Sequence, residues 1–300
     1  MVSQRPGPDS PPPQRSGDAS TQAYHLLVIL AVDIGNSAVK AALVEEGRIL
    51  GSGRLETATA VGDDLLDGLR VLAGAHAEAP SGIISVSVVD RWTERLELAA
   101  ERLDLPLTVV AASHIPISTT LVRPDTTGPD RLLAAWAAAS LHGVPVIVVD
   151  LGTATTVDVV DADGFFQGGA IMPGLALSAT ALTDGTARLP RVALQLPADA
   201  IGSDTTGAMQ SGIVIGHIGA VRELARRMHD RIAPTAPSGA RTRVVVTGGH
   251  SSAAWAHTAW RTPAGPSLPA IADTLDPDLV LRGLAMLAEH MAARPSPGAH

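Results

Sequence analysis

Two carboxylates in this chain stand in the same setting. Asp33 closes an apolar run and is followed by Ile34-Gly35-Asn36-Ser37; Asp150 closes another and is followed by Leu151-Gly152-Thr153. Glycine just beyond the acid lets a backbone turn come close to a bound group with no Cβ in the way. Gly47 stands as far beyond Asp33 as Gly164 does beyond Asp150, so Leu26 to Ile49 and Val144 to Phe166 form an internal repeat of strand, turn, strand and turn. Two such turns facing one another would clamp phosphate groups between them.

The elements that must position these turns can be read from hydrophobic spacing. Strands are expected at about 26–33, 37–45 and 48–55, a helix over Asp63 to Ala79, a strand over Ile83 to Val88, a helix over Asp90 to Leu103 and a strand over Leu107 to Ala111. An Ala-rich helix runs from Pro129 to Leu141 and stops at Gly143. The second half restarts with the repeated hairpin. A loop at GGAIMPGL, a long helical stretch from about Thr205 to Ile232, a strand at Arg243 to Thr247, a short helix and a last helix over Asp276 to Ala292 complete it. The division expected is a tail over 1–23, a first lobe over 24–143, a second over 144–292 and a tail over 293–300.

Composition narrows the function. With 22 basic and 30 acidic residues the net charge is −8, which disfavours a nucleic-acid or anionic-membrane surface. The absence of cysteine excludes disulfides, thiolate metal sites and a cysteine nucleophile, and the ten histidines show no close metal-ligand spacing. Residues 1–23 are rich in Pro, Ser and Gly and are expected to be disordered. The run Leu26 to Val32 is too short to span a bilayer and lacks a signal-peptide cleavage site, so the protein is expected in the cytoplasm.

Several motifs in fixed order sharpen the reading. Asp33-Ile34-Gly35-Asn36-Ser37, Gly128-Pro129-Asp130-Arg131, Asp150-Leu151-Gly152-Thr153-Ala154-Thr155-Thr156, Gly168-Gly169-Ala170-Ile171-Met172-Pro173-Gly174, Ile201-Gly202-Ser203-Asp204-Thr205 and Thr247-Gly248-Gly249 follow one another over roughly residues 26–292. In order and spacing the chain resembles type III pantothenate kinases. The resemblance implies the duplicated two-lobed α/β fold of the actin, sugar-kinase and heat-shock ATPase superfamily, ribonuclease H-like in each lobe, with nucleotide in the cleft between lobes. It implies ATP-dependent phosphorylation of pantothenate, the first step of coenzyme A synthesis, with Mg²⁺ and K⁺ or NH₄⁺, in a homodimer.

Each motif also has a plain reading. The segment from Asp33 through Ile34, Gly35, Asn36, Ser37, Ala38 and Val39 to Lys40, the only lysine in the chain, is either a simple hairpin or an ATP-phosphate site whose Asp33 holds hydrated Mg²⁺. Pro129 suits a first helical position, and Asp130 in the first turn is favoured there by the helix dipole, which would keep it ionised. The resemblance makes Asp130 the general base and Gly128, Pro129, Asp130 and Arg131 part of the pantothenate site, with the Arg131 fork meeting the substrate's anion. It also implies that Asp150 coordinates K⁺, that Thr153 contacts ATP and that Thr205 completes the substrate pocket; Thr205 serves equally well as a helix cap. Gly248 and Gly249 either admit adenosine or only turn the chain. The helix Leu132 to Leu141 is either a subunit interface or a buried core helix.

Two positions depart from the family pattern. Pro129 replaces the usual Ala, and Leu121 stands where a substrate-contacting Tyr is common. Leu121 leaves open a kinase for a different small hydroxyl compound. The resemblance admits a further reading, a kinase-like accessory factor for transcription with little turnover, against which the presence of Asp33, Asp130, Arg131 and Asp150 argues.

Overall fold

The computed structural model describes residues 28–60, 63–233, 241–261 and 271–293. The tails expected to be disordered lie outside these residues, apart from Ala293. In β1 (Val28–Ile34) the apolar side chains alternate between two cores: Val28, Leu30, Val32 and Ile34 face one, Ile29 and Ala31 the other. β1 pairs antiparallel with β2 (Ala38–Glu45), which pairs with β3 (Arg48–Glu56). On the other side β4 (Ile83–Ser87) and β5 (Leu107–Val109) add in parallel, giving the order β3-β2-β1-β4-β5.

The second sheet repeats that plan. β6 (Ser118–Thr119) is its outermost strand, beside the antiparallel run of β7 (Val146–Leu151), β8 (Ala154–Val160) and β9 (Phe165–Pro173). β10 (Arg243–Thr247) lies parallel to β7, and β11 (Thr274–Leu275) closes the far edge, for the order β11-β10-β7-β8-β9-β6. With β6 set aside, the strand order is the same as in the first sheet. This is the duplicated ribonuclease H-like fold.

Helices α1 (Asp64–Ala73) and α2 (Asp90–Leu103) bury Leu65, Leu66, Leu69, Trp92 and Leu96 on the outer face of the first sheet. α3 (Pro129–His142) lies between the sheets. On the outer face of the second sheet are α4 (Leu175–Asp184), α5 (Thr205–Gln210), α6 (Gly216–Ile232) and α7 (Ala256–Arg261), which bury Leu175, Met209, Val221 and Trp260. α8 (Leu279–Ala292) joins α3 in the middle layer. Gly283 allows their contact, since a Cβ there would stand 2.9 Å from the Ala137 Cβ. Leu132, Leu133, Ala134, Ala135, Ala137 and Ala138 are all buried. The Ala-rich helix is therefore largely core.

α3 packs on β7 and β8 of the second sheet, whereas α8 packs on β1, β2 and β4 of the first. The packing thus runs across the 143/144 boundary.

Four expected elements differ. GGAIMPGL is not a loop: Gly168 to Pro173 belong to β9, and α4, unforeseen, starts directly after Gly174. The first helix stops at Ala73, where Gly74 caps it. The stretch 205–232 is helical throughout but contains a π-helical turn at Ser211–Ile215. The last helix begins at Leu279, because Asp276-Pro277-Asp278 forms its approach.

Candidate active site

A cleft of about 720 Å³ opens between the two sheets, lined from the first half by Asp33, Gly35 to Ala38, Lys40 and Arg54 and from the second by Asp150 to Ala154 and Thr247 to His250. The hairpin between β1 and β2 turns at Asn36-Ser37, closed by the Gly35 N–H donating to the Ala38 carbonyl at 3.0 Å. Thr57 braces this turn twice: its hydroxyl donates to the Asn36 carbonyl at 2.7 Å and its N–H to the Ser37 carbonyl at 3.0 Å. Lys40 is the register partner of Asp33 across the hairpin, which puts acid and base on one strand pair.

The second turn is held differently. Asp150 is opposite Thr156 on β8 and Thr247 on β10. The Gly174 N–H donates to the Thr153 carbonyl at 3.0 Å, and a Cβ on Gly174 would overlap the Gly152 and Thr153 carbonyls. Gly248, at φ +89°, presses so close that a Cβ would stand 2.3 Å from Asp150 Oδ1. The two turns meet: Ser37 Oγ and Thr153 Oγ1 are 2.6 Å apart.

Asp130 enters from the start of α3. Gly128 is its N-cap, Pro129 its first residue, and a Cβ on Gly128 would lie 2.3 Å from Asp130 Oδ1. The carboxylate folds back over the helix end and accepts from the Arg131 N–H and its own. Burial nevertheless raises its pKa above the usual carboxylate range; the backbone donors and the Arg131 charge offset that only in part, and Asp158 adds to the rise. The helix start favours the charged form, yet the net shift is upward because burial is the larger cause.

The other two carboxylates are shifted further. Burial pushes Asp33 up to about 6, with the Lys40 and Arg54 charges pulling down and Asp130 pushing up. Asp150 rises to about 7 through burial first and then repulsion from Asp33, against the pull of Lys40. Asp33 and Asp150 share Lys40, and in all three acids burial outweighs the nearby positive charge, which makes a site in want of cations. All are hard oxygen donors, the chemistry Mg²⁺ and K⁺ take. Among the described residues no group of three or more His, Asp or Glu side chains is close enough to hold a metal ion by itself. Phosphate oxygens would have to complete any Mg²⁺ shell, as is usual for that ion.

Of the residues expected at the site, Asp33, Gly35, Asn36, Ser37, Ala38, Lys40, Asp130, Arg131, Asp150 and Thr153 line one cleft, together with Gly248 and Gly249. Ile34 and Val39 point the other way, into the outer core of the first sheet. Gly128 and Pro129 act through the backbone beneath Asp130. Leu121 packs on the central core, its Cδ2 3.0 Å from where a Cβ on Gly168 would be. Thr205 opens α5 on the exposed surface; the cap of that helix is Asp204, whose Oδ1 accepts from the Gly207 N–H at 2.7 Å. One edge of the Arg131 guanidinium is already taken: Nε and Nη2 donate to Asp158 Oδ2 and Oδ1 at 3.1 and 2.5 Å, which leaves the Nη1/Nη2 edge.

Sequence reasoning missed the third strand's share. Arg54, Glu56 and Thr57 also line the cleft, and the Arg54 guanidinium reaches across to Gly249. It also missed Asp158, although a lone acid among the valines of β8 was a visible signal.

Comparison with known proteins settles the kinship. A family model described as type III pantothenate kinase matches residues 29–227. The chain belongs to the type III pantothenate kinase family. A type III pantothenate kinase of Dehalococcoides mccartyi is 37% identical over 86% of this chain and 96% of its own length. That of Thermomicrobium roseum is 37% identical over 88% and 98%. Among solved structures, an ethanolamine utilization protein of Carboxydothermus hydrogenoformans is 17% identical, with a TM-score of 0.48 over 86% of this chain and 89% of that one.

Proposed function

We infer that this member of the type III pantothenate kinase family phosphorylates pantothenate at the expense of ATP in the cytoplasm, and that the cleft residues divide the work as follows. Asp130 accepts the proton of the attacking hydroxyl. Its raised pKa brings it toward neutral pH, where a base can both be ionised and take a proton. The backbone amides of the Asn36-Ser37 and Gly152-Thr153 turns, with Lys40 and Arg54, hold the phosphate chain. Little covalent work is left to the protein, because phosphoryl transfer is mostly positioning and charge neutralisation.

Asp33, through water, would hold Mg²⁺, and Asp150 would hold K⁺ or NH₄⁺. Bound there, the cations would neutralise charge on the transferring group. The resemblance also points to a homodimer, and the exposed Val122, Ile171 and Ile201 offer apolar surface for it.

One observation carries the reading. Two repeat-related glycine turns converge to a hydroxyl contact of 2.6 Å over three carboxylates, the arrangement a nucleotide clamp between lobes requires. The test is ADP release by the full chain with ATP and Mg²⁺, with and without pantothenate. Pantothenate-dependent release is expected. No stimulation at millimolar pantothenate in K⁺ buffer would overturn the assignment.

A further inference from the structure

A buried carboxylate on β8 is committed to a single cleft residue. Asp158 is 2% exposed, and Val157 and Val159 flank it. Burying an acid in a strand is costly unless it is paired, and a well-packed apolar pair of similar size is often as stable as a buried ion pair. Stability alone therefore gives little reason for this residue.

Its partner is Arg131, gripped at two nitrogens in the parallel geometry that fixes the plane of a guanidinium. Two further features hold the arrangement. Gly169, the register partner of Asp158 on β9, has no room for a side chain: a Cβ would stand 2.0 Å from the Val157 carbonyl and 2.5 Å from Asp158 Oδ1. The Phe166 ring lies under the guanidinium, its centroid 6.0 Å from Cζ.

Arg131 itself lies beside Asp130 in the cleft wall. Its side chain is 18% exposed, so it has a wet side as well as a held one. With one N–H each of Nε and Nη2 taken, what remains is the Nη1/Nη2 edge, in a fixed orientation, and a charge partly balanced by Asp158.

We propose that Asp158 is a positioning residue for the acceptor substrate, acting through Arg131. It holds the guanidinium so that its remaining Nη1/Nη2 edge, not a freely turning fork, meets the substrate's anionic end while the hydroxyl lies at Asp130. Gly169 belongs to the same device, since only glycine leaves Asp158 its place. Without the acid, Arg131 gains rotamer freedom at the cleft edge, and the substrate must order it on binding. This inference rests on the pantothenate kinase reading above.

The experiment compares wild type, Asp158→Asn, Arg131→Lys and the double variant, in ATP-saturated and pantothenate-saturated assays. Asp158→Asn keeps the shape and removes the charge. It should raise KM for pantothenate by about tenfold or more with kcat changed less than about threefold and KM for ATP unmoved. Arg131→Lys, which keeps charge but loses the fork, should do the same. The double variant should be no worse than the poorer single one, because both break one device. Additive effects, an equal loss in both KM values, or an unchanged KM for pantothenate in Asp158→Asn would overturn the proposal. So would a lowered KM, which would mean that Asp158 restrains Arg131 rather than aims it. Should Asp158→Asn not fold, Asp158→Ser is read the same way. A wild type without pantothenate-dependent turnover would instead defeat the functional reading itself.

Discussion

The two copies of the repeat place an acid at the same point and then surround it differently. Asp33 has Lys40 opposite it and Arg54 nearby, and a threonine from the end of β3 braces its turn. Asp150 is opposite Thr156 and Thr247, and its turn is pressed by Gly174 and Gly248. Both acids are pushed up by burial, Asp33 to about 6 and Asp150 to about 7. Duplication thus preserved the geometry while charge diverged: the first copy carries its own lysine, and the second, over Val144 to Phe166, contains no Lys or Arg.

The most damaging change should fall on the acid that neither copy supplies. Asp130→Asn should lower kcat by about 10² or more and leave nucleotide affinity within a few-fold, by steady-state kinetics and calorimetry. Near-wild-type turnover would remove Asp130 as the base and leave the two copies to share that role.

The copies themselves should separate next. Asp150→Asn should abolish any preference for K⁺ over Na⁺ and cut turnover by roughly tenfold, whereas Asp33→Asn should raise the Mg²⁺ needed for half-maximal rate and keep the K⁺ preference. Interchangeable responses to the two cations would erase the difference drawn here.

Glycine substitutions should sharpen it in stability. Gly47, at φ +68°, has open space where a Cβ would go; Gly248, at φ +89°, does not. Gly47→Ala should cost about 1 kcal/mol, the strain of a left-handed L-residue, and spare activity. Gly248→Ala should cost about 3 kcal/mol and also lower turnover, because its methyl displaces Asp150. Denaturant titration and the coupled assay measure both.

The smallest effect is in pH. A carboxylate whose folded pKa is raised contributes stability that is full below its unfolded pKa near 4 and is lost as pH rises through the folded value. For Asp150 that window closes at about pH 7. Between pH 5 and 8 in cation-free buffer, wild type should lose more melting temperature than Asp150→Asn, by a few degrees. Parallel melting curves for the two proteins would contradict the burial argument.

The repeat, most of the strands and most of the cleft were legible because apolar runs mark strands and glycine marks turns. What was illegible depended on contacts distant in the chain. Gly168-Gly169 reads as a loop, yet Gly169 is a strand residue that makes room for Asp158. β6 and β11, two residues each, exist only through their partners β9 and β10. Arg54 and Thr57 reach the cleft because β3 runs back alongside β2, which brings the far end of the hairpin to the site. Arg131 looked like a free fork because its counterion is 27 residues away in sequence, beyond the rest of α3 and all of β7.

The exchange of helices between the halves matters for how the molecule is made. The first sheet is synthesised early, but α8, which covers its inner face at β1, β2 and β4, is made only after every strand of both sheets. A nascent chain must carry that apolar face without α8 until both sheets have been made, so removal of Leu279–Ala292 strips the lobe built first.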